Sequence, residues 1–443
     1  MENQTPFQLP NYLTNGNRIF TNLNPSSSTS SIQALEAQLG RLQLLSSVAA
    51  VDVFDHSWPP YFMSNHVDSP NFFQPPMHNG VPNNFEAGSS RMWRSGAGEP
   101  FIRPSNGNVY GHGRGIRRMA MDGEGYRVVK RVIERGDLRE TLNIVEGVKD
   151  CIHELMLHPL GNDVVQTLFR FCHEYFIKDL LLSLIGKQDL FLAVCLHSLG
   201  QKAVVKLLCR LSNPQHQLLF AVVISHHGVA LAKSSGPGHD VLINCFRNLS
   251  RQDNEMILLE IAHNSLELAK DKNGCCILPF CILYAEGTLR GVLVTPLIQE
   301  ARHLSTHFYA NFVIQFLIEL DQANIGARVI QVLRNKFVEL CLSKAGSHVV
   351  EKCLGCGEDE AAGIIFEIME NKENWIQVFT NQYGNYVAQK ALSVAKGEAY
   401  NLLVRAIKSQ QHILEFHPYG RSVVAAAVKR KRRSSISNPQ CLN

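Results

Sequence analysis

Gln382-Tyr383-Gly384-Asn385-Tyr386-Val387-Ala388-Gln389-Lys390 is the stretch that decides the fold, because its plan returns elsewhere in the chain. Tyr309-Ala310-Asn311-Phe312-Val313-Ile314-Gln315 and Gly346-Ser347-His348-Val349-Val350-Glu351-Lys352-Cys353 follow the same order. A small residue leads to a polar one, a ring, two apolar residues and a second polar residue four places after the first. Traced outward, the small residue recurs as Gly125, Gly161, Gly200, Gly238, Gly274, Ala310, Gly346, Gly384 and Gly420, at spacings of 36, 39, 38, 36, 36, 36, 38 and 36 residues. So regular a period is the signature of a repeat architecture.

The residues after each mark define the element. Val313, Ile314, Leu317 and Ile318 follow Ala310, and Val349, Val350, Cys353 and Leu354 follow Gly346. Val387, Ala388, Ala391 and Leu392 follow Gly384, and Val164, Val165, Leu168 and Phe169 follow Gly161. Positions i, i+1, i+4 and i+5 make one apolar arc of an α-helix. A second amphipathic helix comes next, as from Ile325 to Leu333, and then a short apolar turn, as from Phe337 to Leu342. One such unit cannot bury its own face, so neighbours must stack. The pattern predicts an all-α solenoid of eight repeats and a terminal half-repeat.

Composition sets the borders. The chain has 443 residues, 45% hydrophobic and 19% charged, enough for a sizeable core. Length alone would suggest about three domains. Residues 1–100 hold 10 of the 18 prolines, and four Lys/Arg against seven Asp/Glu. Such a segment buries too little apolar surface to offset its ordering entropy. It is read as a disordered low-complexity arm, ahead of a repeat domain over 101–440. Within the arm, Ile32, Leu35, Leu39, Leu42 and Leu45 fit a partner-docking or transient helix. Ser-rich residues 20–35 have a faint transit-peptide character, too poor in arginine for a firm plastid signal.

The rest of the chain carries 39 Lys/Arg against 32 Asp/Glu, so the net +4 averages an acidic arm and a basic repeat region. No window reaches the roughly 18 apolar residues of a membrane-spanning helix, and Met1-Glu2-Asn3-Gln4-Thr5 does not open a signal peptide. No membrane partner is expected. The expected location is cytoplasmic, with the 12 cysteines as reduced thiols.

The two polar positions after each mark are four apart, side by side on one helical face. They are Asn311 with Gln315, Ser347 with Glu351, and Asn385 with Gln389, with the rings Phe312, His348 and Tyr386 beside the first. Two amides can satisfy the edge of uracil, and a carboxylate can accept from both N1–H and the amino group of guanine. Flat side chains between them are platforms for unstacked bases, at about 1–3 kcal/mol per base. The chemistry suits single-stranded RNA. A protein-binding solenoid scaffold is the alternative that period alone would favour.

These segments resemble the Pumilio, or PUF, homology domain, in a divergent plant-type form, and the likeness covers about residues 101–440. The resemblance implies a right-handed α-solenoid of about eight three-helix repeats that reads one base per repeat with two or three side chains. It implies an antiparallel RNA, with Asn385/Gln389 on the 5′ uracil, Ser347/Glu351 on guanine and Asn311/Gln315 on the next uracil. The implied element is 5′-UGU in mRNA 3′ untranslated regions. The implied role is control of translation and message stability by a monomer, through mRNA-decay or translation-repression proteins, with no cofactor and no catalysis of its own.

Other repeats depart from that pattern. Asn162 and Gln166 fit a uracil pair, but Asp163 replaces the ring. Tyr126, Arg127 and Lys130 fit no base pair and suggest backbone contacts or a cap. The third repeat has Gln201, Lys202 and Val205, and the fourth has His239, Asp240 and Ile243 behind Ser234-Ser235-Gly236-Pro237-Gly238. The fifth has Cys275, Cys276 and Pro279, and a proline there breaks the helical ladder unless the helix begins late. A firm UGU followed by loosely specified bases is expected.

No other motif competes. Cys353-Leu354-Gly355-Cys356 has no second pair at zinc-finger spacing, and the cluster of Cys275, Cys276 and Cys281 reads as packing. His226-His227 lacks a nucleophile or carboxylate at recognisable spacing, and no G-x-S-x-G, Walker A or Rossmann fingerprint occurs. No metal site is expected. Lys429-Arg430-Lys431-Arg432-Arg433 fits RNA phosphates, a nuclear address or a solvated tail.

Overall fold

The structure, a computed structural model, describes residues 114–320 and 324–436. The arm over 1–100, with its Ile32–Leu45 helix and its Ser-rich segment, lies outside the described residues.

Each mark lies in the first turn of a helix, and no strand occurs among the described residues. The nine marked helices are Gly125–Arg135, Pro159–Phe171, Gly200–Leu208, Pro237–Asn248, Gly274–Tyr284, Ala310–Glu319, Lys344–Cys353, Gly384–Val394 and Gly420–Ile436. Two further helices follow in most repeats, as Gly287–Gln299 and Ala301–Thr306 do after the fifth. The expected turn after Ile325–Leu333 is itself a short helix, Phe337–Cys341. The third repeat differs, because Pro214–Lys233 runs unbroken for 20 residues where its neighbours have two helices.

The mark is small for a steric reason. A Cβ on Gly384 would lie 2.5 Å from the carbonyl oxygen of Val378, and one on Gly200 only 2.3 Å from that of Val194. Gly125, Gly161, Gly274, Gly346 and Gly420 meet the carbonyl six residues back in the same way, at 2.5–2.8 Å. At these glycine marks the chain doubles back so tightly from the short helix into the marked one that a side chain has no room. A polar residue three places before most marks closes the turn. Asp122, Asp271, Ser343 and Asn381 accept from the N–H of Gly125, Gly274, Gly346 and Gly384 at 2.8–3.1 Å. His158, His197, His307 and His417 do the same through Nδ1. Each satisfies donors that a helix start leaves without partners. Before Gly238 the backbone bends instead through Gly236, at φ 61°.

Successive marked helices pack against one another from the first to the ninth, which is the stacking of a solenoid. The predicted arcs are the core. Val164, Val165, Leu168, Phe169, Val313, Ile314, Leu317, Val349, Val350, Cys353 and Val387 are fully buried. So are the equivalents in irregular repeats, Val204, Leu207, Val241, Leu242, Leu278 and Cys281. Full burial of such a side chain contributes about 1.5–3 kcal/mol. No single described helix is long and apolar enough to cross a membrane; the apolar stretch Gln188–Leu196 with Gly200–Leu208 is bent by 104°.

Candidate nucleic-acid interface

In the sixth and eighth repeats the paired amides form one repeated lock. Asn311 Nδ2 donates to the carbonyls of His307 and Phe308, both at 2.8 Å, and Asn385 Nδ2 to those of Asn381 and Gln382 at 2.9 and 3.0 Å. Carbonyls only accept, so the nitrogen must face them and Oδ1 must face the partner glutamine. Gln315 Nε2 donates to Asn311 Oδ1 at 2.9 Å, and Gln389 Nε2 to Asn385 Oδ1 at 3.0 Å. Both asparagines are only 3% exposed. The asparagine is therefore saturated behind the glutamine and fixes which way the glutamine points. Gln315 and Gln389 keep one N–H and the Oε1 acceptor for the groove, a donor beside an acceptor that matches a uracil carbonyl beside N3–H.

The second repeat keeps the asparagine–glutamine link but anchors it on different carbonyls, one of them in the next repeat. Asn162 Nδ2 donates to Met156 and Leu199 carbonyls at 2.6 and 2.9 Å, and Gln166 Nε2 donates to Asn162 Oδ1 at 2.6 Å. The seventh repeat replaces the lock. Ser347 is buried and donates to the Lys344 carbonyl at 3.0 Å, which clears the space beside half-buried Glu351. His348 Nδ1 lies 3.8 Å from the Glu351 carboxylate. Burial holds the Glu351 pKa above the ordinary carboxylate value, opposed by His348, Lys390 and Lys352. An acceptor-only carboxylate with unspent lone pairs fits the two adjacent donors of guanine. The three rings stand at the surface: Phe312 is 42% and Tyr386 60% exposed, and the His348 side chain 54%.

The first five repeats present a different face. Lys130, at the second polar position of the first repeat, pairs with Asp163 at the ring position of the second, 2.6 Å apart. The carboxylate that would repel phosphate is thus paired with a cation of the preceding repeat at the half-exposed surface. Arg127 binds Glu124 at 3.0 Å and lies over the Tyr126 ring. His239 Nε2 lies 2.8 Å from the Ala232 carbonyl, the place an asparagine takes elsewhere, but Ile243 offers it no partner. In the fifth repeat the helix does not begin late: Gly274–Tyr284 contains Pro279 in its interior, with Cys275 buried and Cys276 exposed.

Among the described residues, no group of three His, Cys, Asp or Glu is placed to hold a metal ion. Cys353 is buried on the arc and Cys356 exposed, and all 11 described cysteines are free. Of the basic run, Arg430 is not a solvated cation. It donates to the Ala395 carbonyl and lies 4.4 Å from the Tyr400 ring centroid, fastening the last helix to the eighth repeat. Two functional features escaped the sequence reading. The Lys130–Asp163 pair joins residues 33 apart, a distance the repeat period would have bridged. Lys390 beside Glu351 follows from the same period, one repeat on.

The described geometry matches known proteins. The model of the Pumilio-family RNA binding repeat matches residues 151–184, 264–295, 336–369 and 380–408. Pumilio homolog 12 of Arabidopsis thaliana is 30% identical over 331 residues, 74% of this chain and 55% of that protein. Pumilio homolog 9 of the same plant is 30% identical over 323 residues, 73% and 56% of the two. The chain thus spans little more than half the length of these relatives. Among solved structures, the Puf4 RNA binding domain bound to an HO endonuclease 3′ UTR recognition sequence superposes with a TM-score of 0.60 at 22% identity, covering 70% of this chain and 97% of that one. The RNA-binding domain of yeast Puf5p bound to MFA2 RNA gives 0.60 at 17% identity, covering 72% and 96%. These two share the fold. With the repeats matched and the plant relatives aligned along three-quarters of it, the chain belongs to the Pumilio family.

Proposed function

We propose that the repeat domain binds single-stranded RNA containing 5′-UGU in mRNA 3′ untranslated regions. Acting as a cytoplasmic monomer, it regulates translation and stability of those messages through recruited repression or decay proteins. The observation that carries this reading is the uninterrupted run of three repeats in which an aimed glutamine, a carboxylate and a second aimed glutamine each stand beside an exposed ring. With the RNA antiparallel, Gln389, Glu351 and Gln315 face U, G and U. At one base per repeat, Gln166 faces the seventh base and favours a uracil there. The basic balance of the repeat region adds phosphate attraction that carries no sequence information. The RNA named for the structural neighbours supports the ligand class.

Glu351→Gln tests the assignment by binding to UGU, UAU and UUU RNAs. A loss of about 1–3 kcal/mol for UGU, with relaxed choice at the middle base, is expected by analogy with a single mismatch. The double change Ser347→Asn with Glu351→Gln rebuilds the amide lock and shifts preference to UUU; a persisting preference for UGU means that the register is wrong. The Lys130–Asp163 pair, which spends two groove positions on the fold, favours the second reading of a protein-binding scaffold with a decayed code. Selection from a random RNA pool separates the two, since a scaffold enriches no UGU.

A further inference from the structure

The fourth repeat holds an imidazole where the reading repeats hold an amide or a hydroxyl. His239 lies one residue after the mark Gly238, in the register of Asn311, Ser347 and Asn385. Its Nε2 is 2.8 Å from the Ala232 carbonyl. A carbonyl only accepts, so the proton of the neutral ring sits on Nε2 and Nδ1 keeps a lone pair. Burial lowers the pKa of this ring, opposed by the Ala232 bond and by the Asp240 and Asp271 carboxylates, which leaves it neutral at pH 7. Thr141, His227, Asn254 and Arg430 are the described residues with a side-chain polar atom buried and unpartnered, and His239 is not among them. Nδ1 makes no bond within the fold, so it stands open. The groups around it are of one kind. Asp240 is exposed at the ring position, Asp271 acts on the imidazole from the fifth repeat's turn, and Ile243 offers a base edge no hydrogen-bonding group. The reading positions of this repeat can accept hydrogen bonds but donate none.

We infer that His239 is the specificity-determining residue of the fourth repeat: its Nδ1 accepts from the exocyclic amino group of the fifth base, and the repeat rejects uracil there. The inference rests on the RNA-binding reading, whose antiparallel register sets the fourth repeat against the fifth base. Adenine, cytosine and guanine each carry an amino group; uracil alone carries none. The one free ring N–H of uracil lies between two carbonyl oxygens. Those oxygens would meet the Nδ1 lone pair and two carboxylates, all of the same sign of charge. The amino hydrogens of the other bases meet the same groups with the opposite sign. The fourth repeat thus inverts the preference set by Gln315 and Gln389, and does so with one side chain in place of a pair. Its tautomer is held by a backbone carbonyl, as the turn carbonyls of the sixth and eighth repeats hold the orientation of Asn311 and Asn385.

The test changes the RNA before it changes the protein. The full chain is titrated with labelled RNAs that begin with UGU, carry uracil at the seventh base and differ only at the fifth. Adenine and cytosine there should each bind about fivefold tighter than uracil, the worth of one neutral hydrogen bond. Purine riboside, which has hydrogen in place of the amino group of adenosine, should lose the same factor of about five. His239→Phe keeps a ring without the acceptor, and should bind the adenosine and purine riboside RNAs equally. Equal binding of those two RNAs by the unchanged protein overturns the amino contact, even where uracil is still rejected, because that rejection would then come from the carboxylates alone. Equal binding of all four bases overturns the inference entirely. A UUU counterpart of the adenosine RNA separates these failures from failure of the RNA reading. If UGU holds no advantage over UUU, the reading itself falls and takes the fourth repeat with it.

Discussion

The sixth to eighth repeats and the first five are built on one scaffold and show opposite faces to the groove. Both halves keep the small residue, the cap before it in most cases and the fully buried arc behind it. Only the three C-terminal repeats combine an aimed polar reader with an exposed ring. In the other half the second repeat keeps an amide pair without its ring, and elsewhere the same positions hold an ion pair, apolar side chains, a proline and thiols. Fold and reading therefore depend on different residues of the same helix. The matched family repeats make the same point. They include the fifth, whose reading positions are Cys275 and Pro279, and omit the sixth, whose pair is intact.

The largest expected effect breaks both halves alike. Gly161→Val and Gly384→Val each drive a side chain into a carbonyl less than 3 Å away. Each should lower unfolding free energy by about 3 kcal/mol in urea titrations. Gly291→Ala, at a helical glycine with open space around it, should raise it by up to about 1 kcal/mol. A Val at either mark that leaves stability untouched would dissolve the claim that the mark is steric.

Next come the readers, where the halves should part. Gln315→Ala and Gln389→Ala are each expected to cost about 1–3 kcal/mol of UGU affinity and relax choice at one base. Val205→Ala and Ile243→Ala, at the same helical position in the third and fourth repeats, should leave base preference alone. The glutamine is the informative member of each pair. Asn311→Ala or Asn385→Ala also removes two hydrogen bonds to turn carbonyls, and so confounds binding with a folding loss of about 1 kcal/mol.

Much of this was legible in the residues alone. The period, the arc from Val313 to Ile318, the reading pairs and the damaged fifth repeat are local patterns, and local patterns survive without coordinates. What lay hidden was contact across repeats and the direction of polar groups. The sequence places Asn311 beside Gln315, but only the turn carbonyls of His307 and Phe308 show that the asparagine is consumed and the glutamine aimed. His158, His197, His307 and His417 all stand three residues before a mark and cap its helix. That signal was present in the spacing. Arg430 could not be read from a run of five cations, because its carbonyl partner lies 35 residues away.

A smaller gain should come from repairing one irregular repeat. Asp163→Tyr restores a ring beside the intact Asn162/Gln166 lock and releases Lys130 from its pair. Affinity should tighten by about 1 kcal/mol, the lower end of base stacking, and only for RNAs with uracil at the seventh base. Equal tightening for every base there would mean that the released lysine acts on phosphate and that Gln166 reads nothing.

The smallest effect is the most diagnostic of Glu351, because it runs in opposite directions for folding and for binding. Burial raises this carboxyl, so the folded state takes up its proton at a higher pH than the unfolded chain does. At neutral pH the ionised group therefore costs stability, and that cost is relieved as pH falls through the raised value. Guanine needs the ionised form, since only it accepts from both donors at once. Acidification should thus weaken UGU binding from above the ordinary glutamate range, by less than about 1 kcal/mol at first, while easing the strain of the buried charge. Fluorescence anisotropy with UGU RNA across mildly acidic pH gives the first slope. The Ser347→Asn, Glu351→Gln protein with UUU RNA removes the titrating group and should be flat over the same range. An equal slope in both proteins would assign the pH dependence to some other group and leave Glu351 without its role in reading guanine.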